Sequence, residues 1–229
     1  MIRNAVGYQI RYYGRVSSTQ DIAKRLVGSE SVRTVIVADE QERGRGRFGS
    51  TWVSPEGGLY ASLILNPTSL LPFRVGIAVA EALRNFEIEA MLKWPNDVLV
   101  DDRKIAGILI ENVDERAIVG IGINLTTSPL KTATSVTQET SIGVSRDDLL
   151  ELILRRFAST PSELVLTRYR ALCTTLGQVV RAELGGSAAN RPIIGKAVGI
   201  DPAGRLLVAV DEALHAIASG ECIHLQEGQ

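Results

Sequence analysis

The sequence predicts an α/β chain of the α+β kind: a domain built around an antiparallel meander, followed by a small barrel-like β module. Three observations predict it. Helical spacing behind capping residues marks segments that open near Ser18, Pro72, Ser145 and Pro161. Aliphatic and β-branched runs split by tight polar turns fill Met91 to Leu125. From about Gly177 onward the chain breaks into short strands separated by turns such as GGSAANR and DPAG.

Taken in order, Ser18 and Asp21 form a capping-box pattern ahead of QDIAKRLVG, where Ile22, Ala23, Leu26 and Val27 share a helical face. RTVIVADEQ reads as a buried strand, and so does LYASLIL at Leu59 to Leu65. Pro72 opens PFRVGIAVAEALRNF, whose Val75, Val79, Leu83 and Phe86 lie along one face. The meander follows, as MLKWPND, then VLVDDRKIAGILIE turning at DDRK, then a turn at NVDER and the strand AIVGIGINL. Thr126 to Val144 is polar, threonine-rich and aperiodic, which predicts a surface connection. Ser145 with Asp148 caps DDLLELILRRFAST, and Pro161 begins SELVLTRYRALC. The strands QVVRAEL, PIIGKAVGI, RLLVAVD, LHAIAS and ECIHLQ then make up the terminal module. These readings divide the chain into residues 1–175 and residues 176–229.

A chain of 229 residues, 45% hydrophobic and 22% charged, can bury one sizeable core and still carry a small second module. A formal net charge of -1 gives no long-range attraction for nucleic acid or an anionic membrane, so any bound anion must be gripped locally. The start MIRNAVGYQIRYYG lacks the apolar run of a signal peptide, and no stretch reaches the ~18 apolar residues of a membrane span. A cytoplasmic protein is expected. Cys173 and Cys222 have no CxxC companion, and His215 and His224 have no ligand pattern beside them, so no metal site is predicted.

The sharpest local feature is ERGRGRFGSTW. Gly44, Gly46 and Gly49 match a dinucleotide fingerprint by spacing, yet Pro55 and two glycines follow where a helix should begin. A phosphate loop fails as well, since Ser50 stands where its lysine should be. A disordered RGG-like segment would be longer than this insertion between two strands. Two readings stay open: a solvated turn, or a flexible loop whose Arg43, Arg45 and Arg47 fold over polyphosphate. A second cluster, Lys93-Trp94-Pro95-Asn96-Asp97 with Arg103-Lys104-Ile105-Ala106-Gly107, also reads two ways. Its lysines are either solubilising charges at strand ends or ligand contacts, with Ala106 and Gly107 leaving room for a ligand against the backbone. Arg45, Arg47, Lys93 and Lys104 would together suit a nucleotide of about four negative charges, stabilised by placed cations rather than by proton transfer.

In their order and spacing, SSTQ, DEQERGRGRFGSTWVSPEGGLYASLIL, LKWPNDVLVDDRKIAGILIE and VGIGINL resemble the biotin protein ligases, over roughly Val16 to Leu125. ATSV at Ala133 to Val136 and the β-rich tail agree in position. The resemblance implies a catalytic domain related to class II aminoacyl-tRNA synthetases, with a mixed, largely antiparallel sheet flanked by helices and an SH3-like barrel behind it. It implies that Ser18, Thr19 and Gln41 bond the ureido ring of biotin, with the backbone near Arg45 and Gly107 close by, and that Gly57, Gly58 and Leu59 line the thiophane side. Arg45 and Arg47 would close over the carboxylate and phosphates. Trp52 would pack beside adenine, with Asn124 near the base and Asn96 among the ATP contacts. Lys104 would bridge carboxylate and α-phosphate, Lys93 would hold phosphates, and Asp97 would orient the acceptor lysine. The implied reaction makes biotinyl-5'-AMP from biotin and Mg-ATP, then biotinylates one lysine of a biotin carboxyl carrier protein. The resemblance leaves a homodimer open.

Three departures from the family pattern stand out: Gln20 replaces the commoner asparagine, Ser50 replaces a frequent arginine, and the motifs begin as early as Val16. The last predicts no DNA-binding helix-turn-helix and no repressor role. Two rivals are a lipoate ligase, against which the GRGR and KWPND spellings argue, and a non-catalytic nucleic-acid module, against which the charge balance argues. The protein is expected to leave no sequence-specific footprint on DNA at physiological salt, and a protected site in a nuclease assay would overturn that expectation.

Overall fold

The computed structural model describes residues 1–30, 32–183 and 192–225. A hairpin that sequence spacing did not reveal opens the chain, with β1 (Ile2–Ala5) and β2 (Tyr8–Val16) turning at Val6 and Gly7, both at positive φ. Helix α1 (Thr19–Leu26) crosses to β3 (Thr34–Gln41), which pairs parallel with β2. The long arginine-glycine connection then leads to β4 (Leu59–Leu65) and to α2 (Leu71–Arg84). Pro72 sits in the first turn of α2 as expected, and Phe86 lies beyond its end.

The meander follows the sequence closely: β5 (Met91–Lys93), β6 (Asp97–Val100), β7 (Arg103–Val113) and β8 (Arg116–Ile123). Asp101 and Asp102 form the β6–β7 turn, both at positive φ, a conformation that aspartate tolerates better than most residues. Arg103 and Lys104 already belong to β7. All these strands form one sheet, in the order β1-β2-β3-β4-β8-β7-β6-β5, antiparallel except for β2 and β3. The meander is therefore one half of the sheet and ends on the short edge strand β5, where Pro95 follows the last pairing and can donate no ladder bond. The middle of the sheet is β4 beside β8, and every residue of β4 is buried.

The two faces of this sheet are covered unequally. Val35, Val37, Leu63, Val119 and Ile121 face the large core, which also holds α2, α4 (Arg146–Ser159) and α5 (Val165–Leu172). Ile36, Ile64 and Ile118 alternate with them and form a small satellite cluster with Ala23 of α1, flanked by the half-buried Ile22, Leu26 and Val27. Beyond α1, that second face carries Ser62, Gly107, Gly120 and Gly122, an open floor of small residues.

The stretch from Thr126 to Val144 departs from the expected surface connection. Thr134, Ser135 and Val136 are buried, and Val136–Glu139 forms a short helix, α3, closed by a capping box between Ser135 and Gln138. Burial is affordable for this polar run because its backbone is satisfied: Thr134 N donates to Lys104 O at 3.0 Å and Val136 N to Asn124 O at 2.9 Å. Helix α4 begins on Ser145 as predicted, with its hydroxyl accepting from Asp148 N.

The chain ends in a second, five-stranded antiparallel sheet of β9 (Val179–Glu183), β10 (Ile193–Ile200), β11 (Leu206–Val210), β12 (Ala213–Ile217) and β13 (Glu221–His224), in the order β12-β11-β10-β9-β13. The GGSAANR turn lies outside the described residues; the DPAG turn closes with Gly204 N on Asp201 O. Trp94 pins the two sheets together. Its indole is 1% exposed, its backbone N donates to Thr175 Oγ1 at 3.0 Å and its Nε1 to Gly204 O at 3.1 Å. Thr175 Oγ1 also meets His224 Nε2 at 3.0 Å. Thr175→Ala would strand a buried backbone donor. Such losses typically cost about 1–3 kcal/mol, so urea unfolding of the variant should show a lower midpoint with an unchanged slope.

Candidate active site

A cavity of about 500 Å³ opens on the floor of small residues. At the start of α1, Thr19 N donates to Gln41 Oε1 at 2.9 Å and Thr19 Oγ1 meets the same oxygen at 3.1 Å. The chain of bonds runs on from Thr19 Oγ1 to Ser62 Oγ at 2.8 Å, from Ser62 Oγ to Gln20 Oε1 at 2.8 Å, and from Gln20 Nε2 to Ile118 O at 3.1 Å. Gln20, the departure noted in the sequence, thus spans the floor between β4 and β8. Ser18 is the N-cap residue, but its side chain makes no cap bond, so the expected capping box does not form; Gln41 satisfies the first helical N–H instead. Gln41 Nε2 in turn donates to Ser54 Oγ at 2.9 Å. These groups make an uncharged, prealigned set of donors and acceptors.

The charged part of the wall comes from the meander. Lys104 Nζ lies 2.6 Å from Asp97 Oδ1 and 5.3 Å from the centroid of the Trp52 ring. The Lys104 backbone is fixed by the strand and by the α3 approach, with its N on Thr132 O and its carbonyl taken by Thr134 N. Asn96 is locked onto Ile108 through both its amide side chain and its carbonyl. Lys93 reaches the same wall from the end of β5, next to Gly220, Glu221 and Cys222 of the terminal sheet. Burial pushes the Cys222 thiol up to about 11, with the charge of Lys93 opposing, so this cysteine stays a neutral thiol at neutral pH.

The arginine-glycine loop forms another side of the cavity, and its three arginines are placed differently. Arg43 is exposed and its side chain stands apart from the cavity. Arg45 is held by Asp21 Oδ1 at 2.7 Å and Glu111 Oε2 at 3.3 Å. Arg47 reaches across to Asn96 Oδ1 at 3.1 Å and to Gly220 O at 3.0 Å, and burial lowers its pKa against the opposing charges of Asp97 and Glu221. Trp52 lies flat on the floor: a Cβ on Gly122 would sit 2.5 Å from its Nε1, and one on Gly107 3.0 Å from its ring. Here the glycines make room for the indole. Ala106, paired with Gly107 in the sequence reading, points to the opposite face and into the core, because strand parity separates neighbours.

The structure brings Ser18, Thr19, Gln41, Arg45, Arg47, Trp52, Lys93, Asn96, Asp97, Lys104 and Gly107 to one cavity wall. Gly57, Gly58, Leu59 and Asn124 are not in that wall. Leu59 is fully buried, Gly57 and Gly58 pack against Thr126 and Tyr60, and the Asn124 amide donates to Thr134 O at 2.9 Å behind Lys104. Sequence spacing passed over Ser54, Ser62, Gly120 and Gly122, though the alternation in VGIGINL was a usable sign of a stripped strand face. It also passed over Gly220 and Glu221, for which no local signal exists.

Residues 12–128 match the biotin/lipoate A/B protein ligase family, and residues 175–225 match the biotin protein ligase C terminal domain. The bifunctional ligase/repressor BirA of Bacillus subtilis is 32% identical over 94% of this chain and 74% of its own length. A biotin–acetyl-CoA-carboxylase ligase of Paracoccus denitrificans is 30% identical over 90% of this chain and 97% of its own length. The structure of the Aquifex aeolicus biotin protein ligase in complex with biotin and ATP superposes with a TM-score of 0.80 at 34% identity, covering 93% of this chain and 97% of that one. The antiparallel sheet with its flanking helices, the terminal β-sheet unit and the ordered motifs around the cavity agree with these matches, and the chain belongs to the biotin/lipoate A/B protein ligase family.

Proposed function

We propose that the cavity is where this ligase joins biotin to AMP and hands the biotinyl group to a lysine of a biotin carboxyl carrier protein. One observation carries the assignment of the site: a single cavity joins the neutral Ser18–Thr19–Gln41 set to the cations Lys93, Lys104 and Arg47. A ureido ring is uncharged and offers donors and an acceptor in one plane, which suits the first set. A carboxylate meeting a triphosphate needs the second. The backbone near Arg45 and Gly107 would complete the ureido side. Gly57, Gly58, Leu59 and Asn124 would act from outside the wall, by shaping the loops behind it.

In the first step a biotin carboxylate oxygen attacks the α-phosphorus of ATP. A C(O)O–P bond forms, the bond to the bridging oxygen breaks and pyrophosphate leaves. Lys104 sits where its ammonium can neutralise both carboxylate and α-phosphate, with Lys93, Asn96 and Arg47 toward the phosphates and Trp52 beside the adenine. In the second step a carrier lysine amine attacks the acyl carbon, AMP leaves, and the amine loses a proton. Asp97, released from Lys104 once phosphate engages that lysine, would orient the incoming ammonium. Magnesium fits as cargo of the nucleotide: Asp97 is paired with Lys104, and no cluster of three potential ligands occurs among the described residues. The domains are proposed to divide at residues 175 and 176, the enzyme to work in the cytoplasm, and residues 1–175 to hold the substrates.

The test is exchange of labelled pyrophosphate into ATP. It should depend on biotin and not proceed with lipoate; exchange supported by lipoate alone would overturn the reading. Lys104→Ala should fold normally and lose about 10² to 10³ in single-turnover adenylation, the usual loss for one preplaced stabilising group. Unchanged turnover would remove Lys104 from its role. Arg47→Gly deletes a lid cation and adds backbone freedom, so the variant should still form biotinyl-5'-AMP but release it sooner. Bystander lysines would then be labelled in proportion to their concentration. Retention of the adenylate for as long as in the parent protein would exclude a lid role for Arg47.

A further inference from the structure

We infer that the Arg45 side chain is a strut rather than a phosphate ligand, and that Asp21 and Glu111 are positioning residues that hold the loop backbone against the ureido-binding set. This rests on the biotin reading above. Two carboxylates from separate elements take the two terminal nitrogens of one guanidinium: Asp21 of α1 at 2.7 Å and Glu111 of β7 at 3.3 Å. The other oxygen of Glu111 takes Lys24 Nζ at 2.7 Å, which ties β7 back to α1. Although burial alone would raise its pKa, Glu111 is held below the ordinary carboxylate range by bonds from Lys24 and Gln20 and by the charges of Arg45 and Lys24. It therefore stays ionised at neutral pH.

The four charges sum to zero, and their placement decides what each arginine can do. A phosphate approaching the terminal nitrogens of Arg45 meets two carboxylates already in place, and repulsion from them opposes its binding. Arg47 makes its hydrogen bonds to neutral acceptors, the Asn96 and Gly220 oxygens, and feels the charges of Asp97 and Glu221 only from beyond those bonds, so an anion can take their place without breaking a direct ion pair. The two loop arginines are thus specialised: one fixes the root of the loop and the other moves.

The strut transmits its position through a short backbone path. Arg45 bridges Thr51, Gly46 N donates to Ser50 O at 2.8 Å and Trp52 N to Gly44 O at 2.9 Å, so Arg45 sits inside a small closed loop. Its anchor is the helix whose first residues are Ser18 and Thr19. Fixing Arg45 to Asp21 therefore sets the distance between the loop backbone and the Thr19–Gln41 pair. A partly exposed pair contributes little to global stability, so loss of the strut should show in ligand affinity rather than in unfolding.

The experiment compares Arg45→Gln, the double variant Asp21→Asn/Glu111→Gln, and all three changes together. Biotin affinity is measured by calorimetry, the KM for ATP by pyrophosphate exchange, and exchange of the amides of residues 44–49 by mass spectrometry without ligand. Arg45→Gln and the carboxylate pair should each weaken biotin roughly five- to tenfold, and their combination should be no worse, as expected for groups acting as one unit. The KM for ATP should stay within about twofold, and the loop amides should exchange faster in every variant. A raised KM for ATP in Arg45→Gln with normal biotin affinity would make Arg45 a phosphate ligand and overturn the inference. Unchanged loop exchange in the carboxylate variant would overturn it as well, and so would faster exchange with unchanged biotin affinity. If the unaltered protein fails to bind biotin, the substrate reading fails first, whatever the loop measurements show.

Discussion

A β-sheet in a protein of this size normally has both faces packed, because each exposed aliphatic side chain forfeits burial free energy of about 25 cal/mol per Å². The cavity exists because one patch of one face is exempt from that demand. On β4, β7 and β8 the core-facing residues are aliphatic, among them Leu63, Ile108, Val119 and Ile121, while Ser62, Gly107, Gly120 and Gly122 lie on the reverse with little or no side chain. Packing on the core side fixes these strands firmly enough for the stripped side to hold its shape. Everything chemical is arranged around that floor: α1 brings its first turn to one side, the meander its lysines to another, and the arginine loop lays Trp52 across it.

Much of this was legible because it is local. The helices α2 and α4, the β6–β7 hairpin and the meander follow from spacing and turn chemistry within short windows, and the loop with Lys93, Asn96, Asp97 and Lys104 followed from motif order. What spacing did not reveal depends on pairing across the sheet. Gly107 and Gly122 are register partners, yet no short window contains both, and their clearance is filled by an indole from a third segment. The buried Thr134–Val136 turn misled for a related reason. Polar composition predicts exposure unless the backbone partners are known, and Lys104 and Asn124 lie too far away in sequence for that.

The charge balance follows the same logic. With 25 basic and 26 acidic residues the chain has no net field to attract a polyanion, and two of the four cations of the site, Arg45 and Lys104, are themselves paired. Asp97 neutralises Lys104, while Asp21 and Glu111 neutralise Arg45. Pairing lowers the cost of collecting like charges in one cavity and keeps the lysine and arginine side chains from collapsing onto other acceptors. It also makes binding an exchange of partners. An anion that took Lys104 would leave Asp97 without its ion-pair partner.

The terminal sheet is tied to the cavity wall, because Trp94, between β5 and β6, bonds Gly204, and Arg47, held by Asn96, bonds Gly220. Trp94 is bonded to Thr175 and Gly204, and two residues later Asn96 takes Arg47, whose other bond is to Gly220. A change in the seat of the terminal sheet would move Gly220 relative to Asn96 and deprive Arg47 of one acceptor. The position of Arg47 therefore depends on two sheets docking correctly, while the Arg45 side chain is tied to α1 and β7. The two arginines thus have separate anchors, so the neutral hydrogen bonds of Arg47 can be exchanged with the ion pairs of Arg45 left in place.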